Sequence, residues 1–355
     1  MNGSSLYCLI MAGGVGSRFW PLSTEENPKQ FLDILGTGKS LIQLTFDRFK
    51  QIVPEKNIYV LTNLAYKHKV IEQLKIDGNQ VLCEPQRKNT APCLAYATAK
   101  IHKKDPNAIM LVSPADHLIL NEAQFFTDIK TGIEKAIQSN DLVTYGIKPS
   151  RPDTGYGYIE FAPPNERGSR VTKVKQFREK PDLELAQEFI QQGNFYWNSG
   201  MFAWKASTII SSFQKHSKEL YDIFLKNETP YNTEGENDFL QKAFSICEDI
   251  SIDYAILEKE PNISLVLSSF DWSDLGTWGS LKDLLPKDEN NNSQNTKDIH
   301  FFNSNDCLVK SEGAKTVLVD GLNGFIIIDT KDRLMILNSK NEQELKAYLK
   351  QLNEK

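Results

Sequence analysis

Short apolar runs and amphipathic segments alternate along the first half of the chain. Runs of strand length lie at 7–11, 58–62, 80–83, 108–113 and 142–146. Between them, apolar residues recur near helical spacing at 41–52, 65–74, 90–103 and 122–137. Strands that alternate with helices favour right-handed crossovers and a mostly parallel, doubly wound α/β sheet. Such sheets bind ligands beyond the carboxyl ends of their strands, so the residues that follow each strand are the candidates for a site.

The pattern becomes mixed beyond residue 156 and ends in a short β-rich segment. Strands are predicted at 158–161 and 202–204, and a helix at 183–191. Residues 286–298 (PKDENNNSQNTKD) contain no large apolar side chain, which indicates a linker. Beyond them, β runs lie at 307–309, 316–319, 325–329 and 334–337, and a terminal helix is predicted at 341–352. We therefore expect a main domain at 1–285, a linker at 286–298 and a small β domain at 299–355.

Composition excludes several classes of protein. The 355 residues include 41 Lys and Arg against 46 Asp and Glu, a net charge of −5, which lacks the basic surplus of a nucleic-acid binder. No apolar run reaches the roughly 18 residues of a membrane span, and the N-terminus lacks the features of a secretory signal. The five cysteines form no CxxC pair, which favours a reducing compartment. We expect a cytoplasmic protein that binds neither nucleic acid nor membranes.

A glycine-rich loop follows the first strand, and its chemistry suits phosphate. Gly13, Gly14 and Gly16 allow backbone N–H groups to approach an anion closely. Arg18 and Lys29 add positive charge within reach of the same loop. Three glycines alone would more often form a tight strand-to-helix turn, but the two basic residues favour phosphate binding.

Two other phosphate-binding patterns do not fit the sequence. Phe19 stands where a dinucleotide-binding fingerprint needs its third glycine. A Walker A loop ending in Lys39-Ser40 would need a glycine at the position that Asp33 occupies. An acid there would repel the phosphates, so a turn and a helix cap are the simpler interpretation.

The glycine-rich loop and nine further motifs resemble the sugar-phosphate nucleotidyltransferases. The sequences of these motifs are similar to those of the mannose-1-phosphate guanylyltransferases in particular. In chain order, the motifs are GGVGSR (13–18), FWPLS (19–23), PKQF (28–31), EP (84–85), NTAP (89–92), PADH (114–117), GYGYI (155–159), EKP (179–181), NSGMF (198–202) and WSDLG (272–276). Each motif is weak alone, but together they cover most of the chain in order.

The resemblance implies a fold and a reaction. The fold is a Rossmann-like, GT-A-like mixed sheet with a small C-terminal β domain that resembles a left-handed β-helix and contributes to a homodimer. The reaction joins mannose 1-phosphate to the α-phosphorus of GTP with the help of Mg²⁺, giving GDP-mannose and pyrophosphate. The attacking phosphate oxygen is already ionised at neutral pH, so catalysis consists of positioning and charge neutralisation rather than base catalysis.

The resemblance also implies a role for each residue that matches a motif. The expected catalytic residues are Arg18, Lys29 and Lys180, the first two on the triphosphate and the third on the sugar phosphate. The expected nucleotide-binding residues are Gly13, Gly14, Gly16, Glu84, Asn89 and Thr90. The expected hexose-binding residues are Gly157, Glu179, Asn198 and Gly200, and the expected Mg²⁺ ligands are Asp116 and Asp274.

Several of these residues have simpler alternative interpretations. Taken alone, Asp116 is typical of a turn, and Asp274 of the N-cap of a helix near 276–285. Glu84 could accept hydrogen bonds from the two donors on the Watson–Crick edge of guanine, or could simply be exposed to solvent. Thr90 is predicted to cap the helix that it begins. For the whole chain, the alternatives are another base or hexose, or a nucleotide-sugar sensor without activity.

Overall fold

The chain forms two compact units, each built from separate segments of sequence. The structure is a computed structural model that describes residues 5–164, 168–226, 230–313 and 315–353. The larger unit comprises Met1–Gly13, Thr45–Ala115 and Ile119–Trp272, and the smaller unit comprises Gly14–Leu44, Asp116–Leu118 and Ser273–Lys355. The sequence pattern predicts a division along the chain near residue 285, whereas these compact units interleave.

Strands and helices in the described residues have the following bounds. The strands are β1 (Leu6–Met11), β2 (Ile58–Asn63), β3 (Val81–Glu84), β4 (Ile109–Pro114), β5 (Leu118–Ile119), β6 (Leu142–Ile147), β7 (Tyr158–Phe161), β8 (Val171–Arg178), β9 (Phe195–Lys205), β10 (Ile263–Ser268), β11 (Trp272–Ser273), β12 (Ser293–Gln294), β13 (Ile299–Phe302), β14 (Leu308–Ser311), β15 (Val317–Asp320), β16 (Phe325–Asp329) and β17 (Leu334–Asn338). The helices are α1 (Leu41–Phe49), α2 (Lys67–Leu74), α3 (Thr90–Lys104), α4 (Glu122–Gln138), α5 (Leu183–Gln192), α6 (Ala206–His216), α7 (Lys218–Leu220), α8 (Glu236–Ile246), α9 (Trp278–Lys282) and α10 (Leu345–Asn353).

A nine-stranded mixed sheet forms the centre of the larger unit. Its strand order is β3-β2-β1-β4-β9-β6-β10-β8-β7. β1 pairs in parallel with β2 and β4, and β2 with β3, whereas β9 runs antiparallel to β4 and β6. The α/β class and the mixed sheet are therefore confirmed. The carboxyl ends of β1 and β3 lie at the same edge, which places Gly13 and Glu84 beside one another.

Helix α3 packs its apolar residues into the main core of the larger unit. Leu94, Ala95 and Ala97 are fully buried there, next to strands of the sheet. The N-cap of the helix lies one residue earlier than predicted. Asn89 is the N-cap, and its side chain accepts a hydrogen bond from Thr90 N–H at 3.0 Å. The prediction that Thr90 caps the helix was wrong, because the Thr90 hydroxyl accepts a hydrogen bond from Ile252 instead.

The smaller unit contains two small sheets and an apolar core of its own. The four-stranded sheet has the order β12-β14-β16-β17, and β13 pairs with β15. All of these pairs are parallel except β16–β17. Phe19 and Trp278 pack together with their ring centroids 4.7 Å apart, in a core that includes Leu308 and Ile326. Residues far apart in sequence therefore share one core.

Residues 286–298 differ from the linker that their composition predicts. The segment contains β12, and Asn292 is 2% exposed. The Asn292 amide donates to Ser304 O at 3.0 Å, and its oxygen accepts from Cys307 N–H at 2.9 Å. The polar side chains thus replace backbone partners inside the fold, which composition alone does not reveal.

Helix α4 packs unusually closely against β6. Phe125, Ile129 and Ile133 form its buried stripe, and the Tyr145 hydroxyl donates to Ile129 O at 3.1 Å. A Cβ atom on Gly132 would overlap that hydroxyl, so this helical position requires glycine. α4 has 17 residues, and no helix in the described part of the chain is long and apolar enough to cross a membrane.

We expect Gly132→Ala to destabilise the protein. Alanine favours a helix by about 1 kcal/mol over glycine, but the overlap with Tyr145 should outweigh this and lower the free energy of unfolding by about 1–3 kcal/mol. Urea unfolding followed by circular dichroism measures the difference. Gly78→Ala is the control, since its Cβ would meet its nearest neighbour at an ordinary 3.6 Å. A Gly132→Ala protein as stable as the wild type would contradict this account of the packing.

Candidate functional site

The glycine-rich loop of the smaller unit is held in place by the segment at 23–30. Lys29 N–H donates to Val15 O at 3.2 Å, and the Gln30 side-chain amide donates to Gly14 O at 2.9 Å. The Ser23 hydroxyl also donates to Val15 O, at 2.5 Å. These bonds occupy carbonyl oxygens of the loop and fix its conformation before any ligand binds.

Gly14 and Gly16 have different reasons to be glycine. Gly16 has a φ of +70°, and a Cβ there would overlap the Lys29 side chain. Gly14 has an ordinary φ, is exposed, and has no atom within 4 Å of the position of a Cβ. Gly16 is therefore required by the fold itself, whereas the open space at Gly14 suits close approach of a ligand to the backbone.

Lys29 brings two of the predicted site residues together. Its side chain is buried, and its ammonium donates to Asp116 Oδ2 at 2.8 Å and to the carbonyl oxygen of Asp274 at 2.6 Å. The same ammonium lies 5.4 Å from the ring centroid of Phe19, a cation–π distance. The structure thus places Lys29, Asp116 and Asp274 in one cluster, which we call the Lys29 cluster.

Asp116 carries a negative charge in this cluster at neutral pH. Burial alone would raise the pKa of its carboxyl, but the charges of Lys29 and then His117 outweigh burial and hold the pKa below its usual value. The side chain is still 32% exposed. An ionised carboxylate that reaches solvent can bind a further cation.

Asp274 forms a local turn rather than a helix cap. Its Oδ1 accepts a hydrogen bond from Gly276 N–H at 2.9 Å, and a Cβ on Gly276 would overlap the carboxylate. The N-cap of α9 is Thr277, which forms a capping box with Ser280. The N-cap alternative for Asp274 was therefore wrong.

The donor set of the Lys29 cluster fits Mg²⁺. This ion takes one or two carboxylates and completes its shell with water and phosphate oxygens, and the cluster offers the carboxylates of Asp116 and Asp274. The described residues contain no group of three or more His, Cys, Asp or Glu side chains that could hold a metal. Two carboxylates leave the other positions of a Mg²⁺ shell to water and phosphate oxygens.

Arg18 is exposed and available to an anion. It lies in the short 3₁₀ turn Ser17–Phe19, directly after the glycines of the loop. In the part of the chain that the structure describes, its guanidinium has no hydrogen bond or ion pair with the protein. A free, planar, permanently charged group beside an exposed loop is well suited to phosphate oxygens.

Glu84 is buried at the end of β3 in the larger unit. It is 6% exposed, and a Cβ on Gly13 would lie 3.8 Å from its Oε1. Burial raises the pKa of Glu84 to about 8, although the Lys88 N–H, the Arg87 charge and Cys93 each lower it. The exposed alternative for Glu84 was therefore wrong. A neutral carboxyl at pH 7 both donates and accepts hydrogen bonds.

Asn89 and Thr90 use their side chains inside the larger unit. Asn89 has a φ of +64° and caps α3. The Thr90 hydroxyl accepts from Ile252 N–H at 2.8 Å, and Ala91 N–H donates to Ile250 O at 3.1 Å. The N-terminus of α3 is thus fastened to the segment at 250–252. Any part that Asn89 and Thr90 play in binding a nucleotide adds to this structural role.

The predicted hexose residues form a second cluster in the larger unit. Asn198 N–H donates to Gly157 O at 2.8 Å, and Gly200 N–H donates to Asn198 Oδ1 at 3.0 Å. A Cβ on Gly157 would overlap the Glu179 carboxylate, so glycine is needed for that carboxylate to fit. Gly157, Glu179, Asn198 and Gly200 are therefore neighbours, and we call them the Asn198 cluster.

Lys180 stands at the edge of the Asn198 cluster. Its ammonium is paired with the Glu179 carboxylate, and its side chain is 57% exposed. Its φ of +45° lies in the left-handed region, an unusual conformation for a lysine. Lys180 therefore presents a charged group to solvent from a fixed backbone.

Sequence reasoning missed Asp253. Its Oδ1 accepts a hydrogen bond from the Asn198 amide at 2.8 Å, and it begins a single π-helical turn at Asp253–Leu257. No strand or glycine-rich turn precedes it. The only signal in the sequence is an acid inside the apolar run ISIDYAIL (250–257), which a surface helix could equally explain.

Known proteins match the chain over most of its length. The model of the nucleotidyl transferase family matches residues 7–291. The chain is 36% identical over 350 residues to the alginate biosynthesis protein AlgA of Pseudomonas aeruginosa, covering 97% of this chain and 72% of that protein. It is 36% identical over 360 residues to a mannose-1-phosphate guanylyltransferase of Klebsiella pneumoniae, covering 97% and 74% respectively.

A solved structure matches both the fold and the length. It is described as mannose-1-phosphate geranyltransferase from Thermus thermophilus, and it superposes with a TM-score of 0.85 at 28% identity. The match covers 98% of this chain and 99% of that one. The similarity therefore includes the C-terminal β segments as well as the large sheet.

We expect Glu84→Gln to stabilise the protein progressively as pH rises. The folded pKa of about 8 lies above the ordinary 4.5, so the folded state binds the proton more tightly than the unfolded state. Wild-type stability is therefore lost as pH rises from about 4.5 to about 8, at about 1.4 kcal/mol for each pKa unit, and glutamine abolishes this loss.

Urea unfolding at intervals from pH 5 to pH 9 measures this effect. The stability difference between Glu84→Gln and wild type should grow up to about pH 8 and then level off. Glu188→Gln, at an exposed position of α5, is the matched control and should show no such trend. A Glu84→Gln difference that stays constant across the range would refute the assignment of a neutral Glu84.

Proposed function

Because the chain belongs to the nucleotidyl transferase family, we propose that it joins α-D-mannose 1-phosphate to GTP, giving GDP-mannose and pyrophosphate. The name of the Klebsiella relative supports the choice of sugar and base. The observation that carries the chemistry is the Lys29 cluster, in which a buried ammonium and two aspartates lie together beside the glycine-rich loop. This combination suits a ligand with several phosphates.

The proposed reaction needs neutralisation of charge rather than a base. A phosphate oxygen of the sugar 1-phosphate forms a bond to the α-phosphorus of GTP, and the bond from that phosphorus to the β-phosphate bridging oxygen breaks, releasing pyrophosphate. Both reactants are anions, so the barrier is electrostatic. Lys29 would stabilise charge on the α-phosphate, and Arg18 would hold the outer phosphates. One such donor is typically worth about 3–4 kcal/mol in the transition state.

Asp116 and Asp274 are the residues that would hold Mg²⁺. When bound, this ion neutralises phosphate charge and orients the triphosphate. The low pKa of Asp116 keeps that carboxylate ionised, which a cation site requires. The main-chain N–H of Gly276 donates to one oxygen of the Asp274 carboxylate and fixes its orientation.

The Asn198 cluster is proposed to bind the hexose. Glu179 would accept hydrogen bonds from ring hydroxyls, and Gly157 and Gly200 allow the sugar to approach the backbone closely. Asn198 already accepts from Gly200 and donates to Asp253, so it would offer its remaining amide N–H. Lys180, exposed and next to Glu179, would pair with the sugar phosphate.

The nucleotide is proposed to contact Glu84 and the α3 N-terminus. Guanine presents N1–H and an amino group on one edge, and an ionised carboxylate can accept from both. Uracil and thymine present a single donor there, so Glu84 would favour guanine. The backbones of Gly13, Gly14 and Gly16 would face the phosphates, and Asn89 and Thr90 would lie at the nucleoside. Free Glu84 is neutral at pH 7, so guanine binding would be coupled to loss of the Glu84 proton.

Three features outside the site are also proposals. The parallel pairs of β14 with β16 and of β13 with β15 support a C-terminal left-handed β-helix in a domain at 299–355. The five cysteines are free, which supports a cytoplasmic location.

Leu334 and Ile336 on β17 are both more than half exposed and point to the same face, which supports a homodimer through this strand.

We expect pyrophosphate release from GTP with mannose 1-phosphate and Mg²⁺, and none when EDTA is added. Arg18→Met and Lys29→Met should each lower kcat by roughly 100- to 1,000-fold, because each removes a positive charge from the phosphates. Lys331→Met, at an exposed turn of the smaller unit, is the matched control and should be fully active. Arg18 is exposed, so its variant tests the proposal without disturbing the core.

The same assay with UTP, dTTP, ATP and glucose 1-phosphate separates the alternatives. Turnover with another base or sugar would retain the reaction and refute the proposed roles of Glu84 or the Asn198 cluster in specificity. No turnover with any pair would favour a sensor without activity. Full activity in Arg18→Met would remove Arg18 from the site.

We expect Ile336→Lys to convert a dimer to a monomer without unfolding it. Ile336 is 59% exposed, so the lysine adds charge to the proposed interface without entering a core. Light scattering coupled to size-exclusion chromatography measures the mass. Leu64→Lys, at a similarly exposed position in the larger unit, is the control. A wild-type monomer, or an unchanged mass in Ile336→Lys, would exclude this interface.

A further inference from the structure

The segment at 250–253 connects two regions for which binding roles are proposed. Ile250 O and Ile252 N–H bond to Ala91 and Thr90 at the start of α3. The next residue, Asp253, accepts from the Asn198 amide at 2.8 Å. One short stretch of chain, which the sequence motifs do not include, thus fastens the α3 N-terminus and the Asn198 side chain to the same backbone.

Asp253 and Gly200 together fix the orientation of the Asn198 amide. Gly200 N–H donates to its oxygen at 3.0 Å, and its nitrogen donates to the Asp253 carboxylate. Turning the amide over would set its nitrogen against an N–H and its oxygen against a carboxylate, and both contacts are repulsive. The remaining N–H of Asn198 therefore points in one fixed direction.

The charged groups around Asp253 keep this arrangement at neutral pH. Burial, and then the nearby Glu179 carboxylate, raise the pKa of Asp253 to about 6, while the Asn198 bond and Lys180 lower it. Asp253 is therefore mostly ionised at pH 7. Glu258 lies one residue beyond the π-helical turn that Asp253 begins. Burial, and then the charge of Glu179, raise the pKa of Glu258. Lys180 is the opposing positive charge next to Glu179.

We propose that Asp253 is a positioning residue for hexose recognition, acting through Asn198. This inference rests on the proposed function, because it assumes that the Asn198 cluster binds the sugar. A hydroxyl of the correct stereochemistry would accept from the fixed Asn198 N–H and donate to Glu179. An epimer would satisfy only one of the two. Asp253 thereby contributes to the choice of hexose without touching it.

A purely structural role for Asp253 would give a different result. If the segment at 250–253 served only to brace the fold, its loss would loosen the Thr90 end as much as the Asn198 end. Stability would fall, and the apparent affinities for GTP and for the sugar phosphate would weaken together. A positioning role instead affects the sugar phosphate selectively.

The test compares Asp253→Asn with wild type and with Asp222→Asn. Asp222 lies near the start of the π-helical turn Tyr221–Leu225, where it pairs with Lys218 and Lys226, so it is a matched acid in the same kind of turn. We expect Asp253→Asn to raise KM for mannose 1-phosphate about 10- to 100-fold, the range for a hydrogen bond to a charged group, with KM for GTP unchanged. Asp222→Asn should leave both values unchanged.

Two further measurements show whether Asp253 acts through Asn198. In an Asn198→Ala background, Asp253→Asn should add little to KM for the sugar phosphate, because the group that it positions is gone. Glucose 1-phosphate should lose its disadvantage relative to mannose 1-phosphate in Asp253→Asn. Equal increases in both KM values, or a full additional effect in the Asn198→Ala background, would overturn the proposal.

The activity of the wild-type enzyme tests the proposed function separately from the role of Asp253. If wild type turns over another hexose 1-phosphate, the assignment of mannose is wrong, and the Asp253 comparison is made with that sugar. Binding of each sugar phosphate is also followed by intrinsic fluorescence, since Trp197 adjoins Asn198 in sequence. This titration measures the effect of Asp253→Asn on sugar-phosphate affinity even without turnover, and unaltered affinity would overturn the inference.

Discussion

The site in the smaller unit depends on the pairing of the buried Lys29 ammonium with Asp116 and the Asp274 carbonyl. A charge removed from water is tolerated only when it is paired and hydrogen-bonded. Asp116, the Asp274 carbonyl and the Phe19 ring provide that environment. The demands of this pairing extend to the loop, because Gly16 must lack a side chain to admit Lys29. The electrostatics of one lysine therefore determine the shape of the loop proposed to bind phosphates.

Two acids in this protein, partly exposed Asp116 and buried Glu84, are held in opposite states. Asp116 stays ionised because Lys29 lies against it, whereas Glu84 has no comparable partner and is held neutral by burial. Environments that separate the pKa values of similar groups are typical of functional sites. Asp116, which is ionised, is proposed to bind Mg²⁺, and Glu84, which is neutral, is proposed to contact guanine. The ionised state suits a cation, whereas Glu84 would have to lose its proton to accept both hydrogen bonds from guanine.

Local pattern predicted most of the elements, and long-range contacts account for the rest. β7 and β16 have their predicted bounds, and β1 to β4 differ by only one or two residues, because apolar periodicity is a local property. The roles of Asn292 and Asp253 could not be read from the sequence, since each depends on partners that the fold brings in from elsewhere. The family motifs identified the candidate residues of the site. Their contacts, such as the Gly157–Glu179 fit, emerged only in three dimensions.

The interleaving of the smaller unit has a consequence for its synthesis on the ribosome. Lys29 and the Asp274 carbonyl that it contacts are separated by 245 positions, and Phe19 packs on Trp278. At roughly 5–20 residues per second, the N-terminal loop waits on the order of ten to fifty seconds for these partners to emerge. During this interval, residues of the smaller unit's core lack their native neighbours. The Lys29 cluster is thus completed only after the residues at 274–278 have been synthesised.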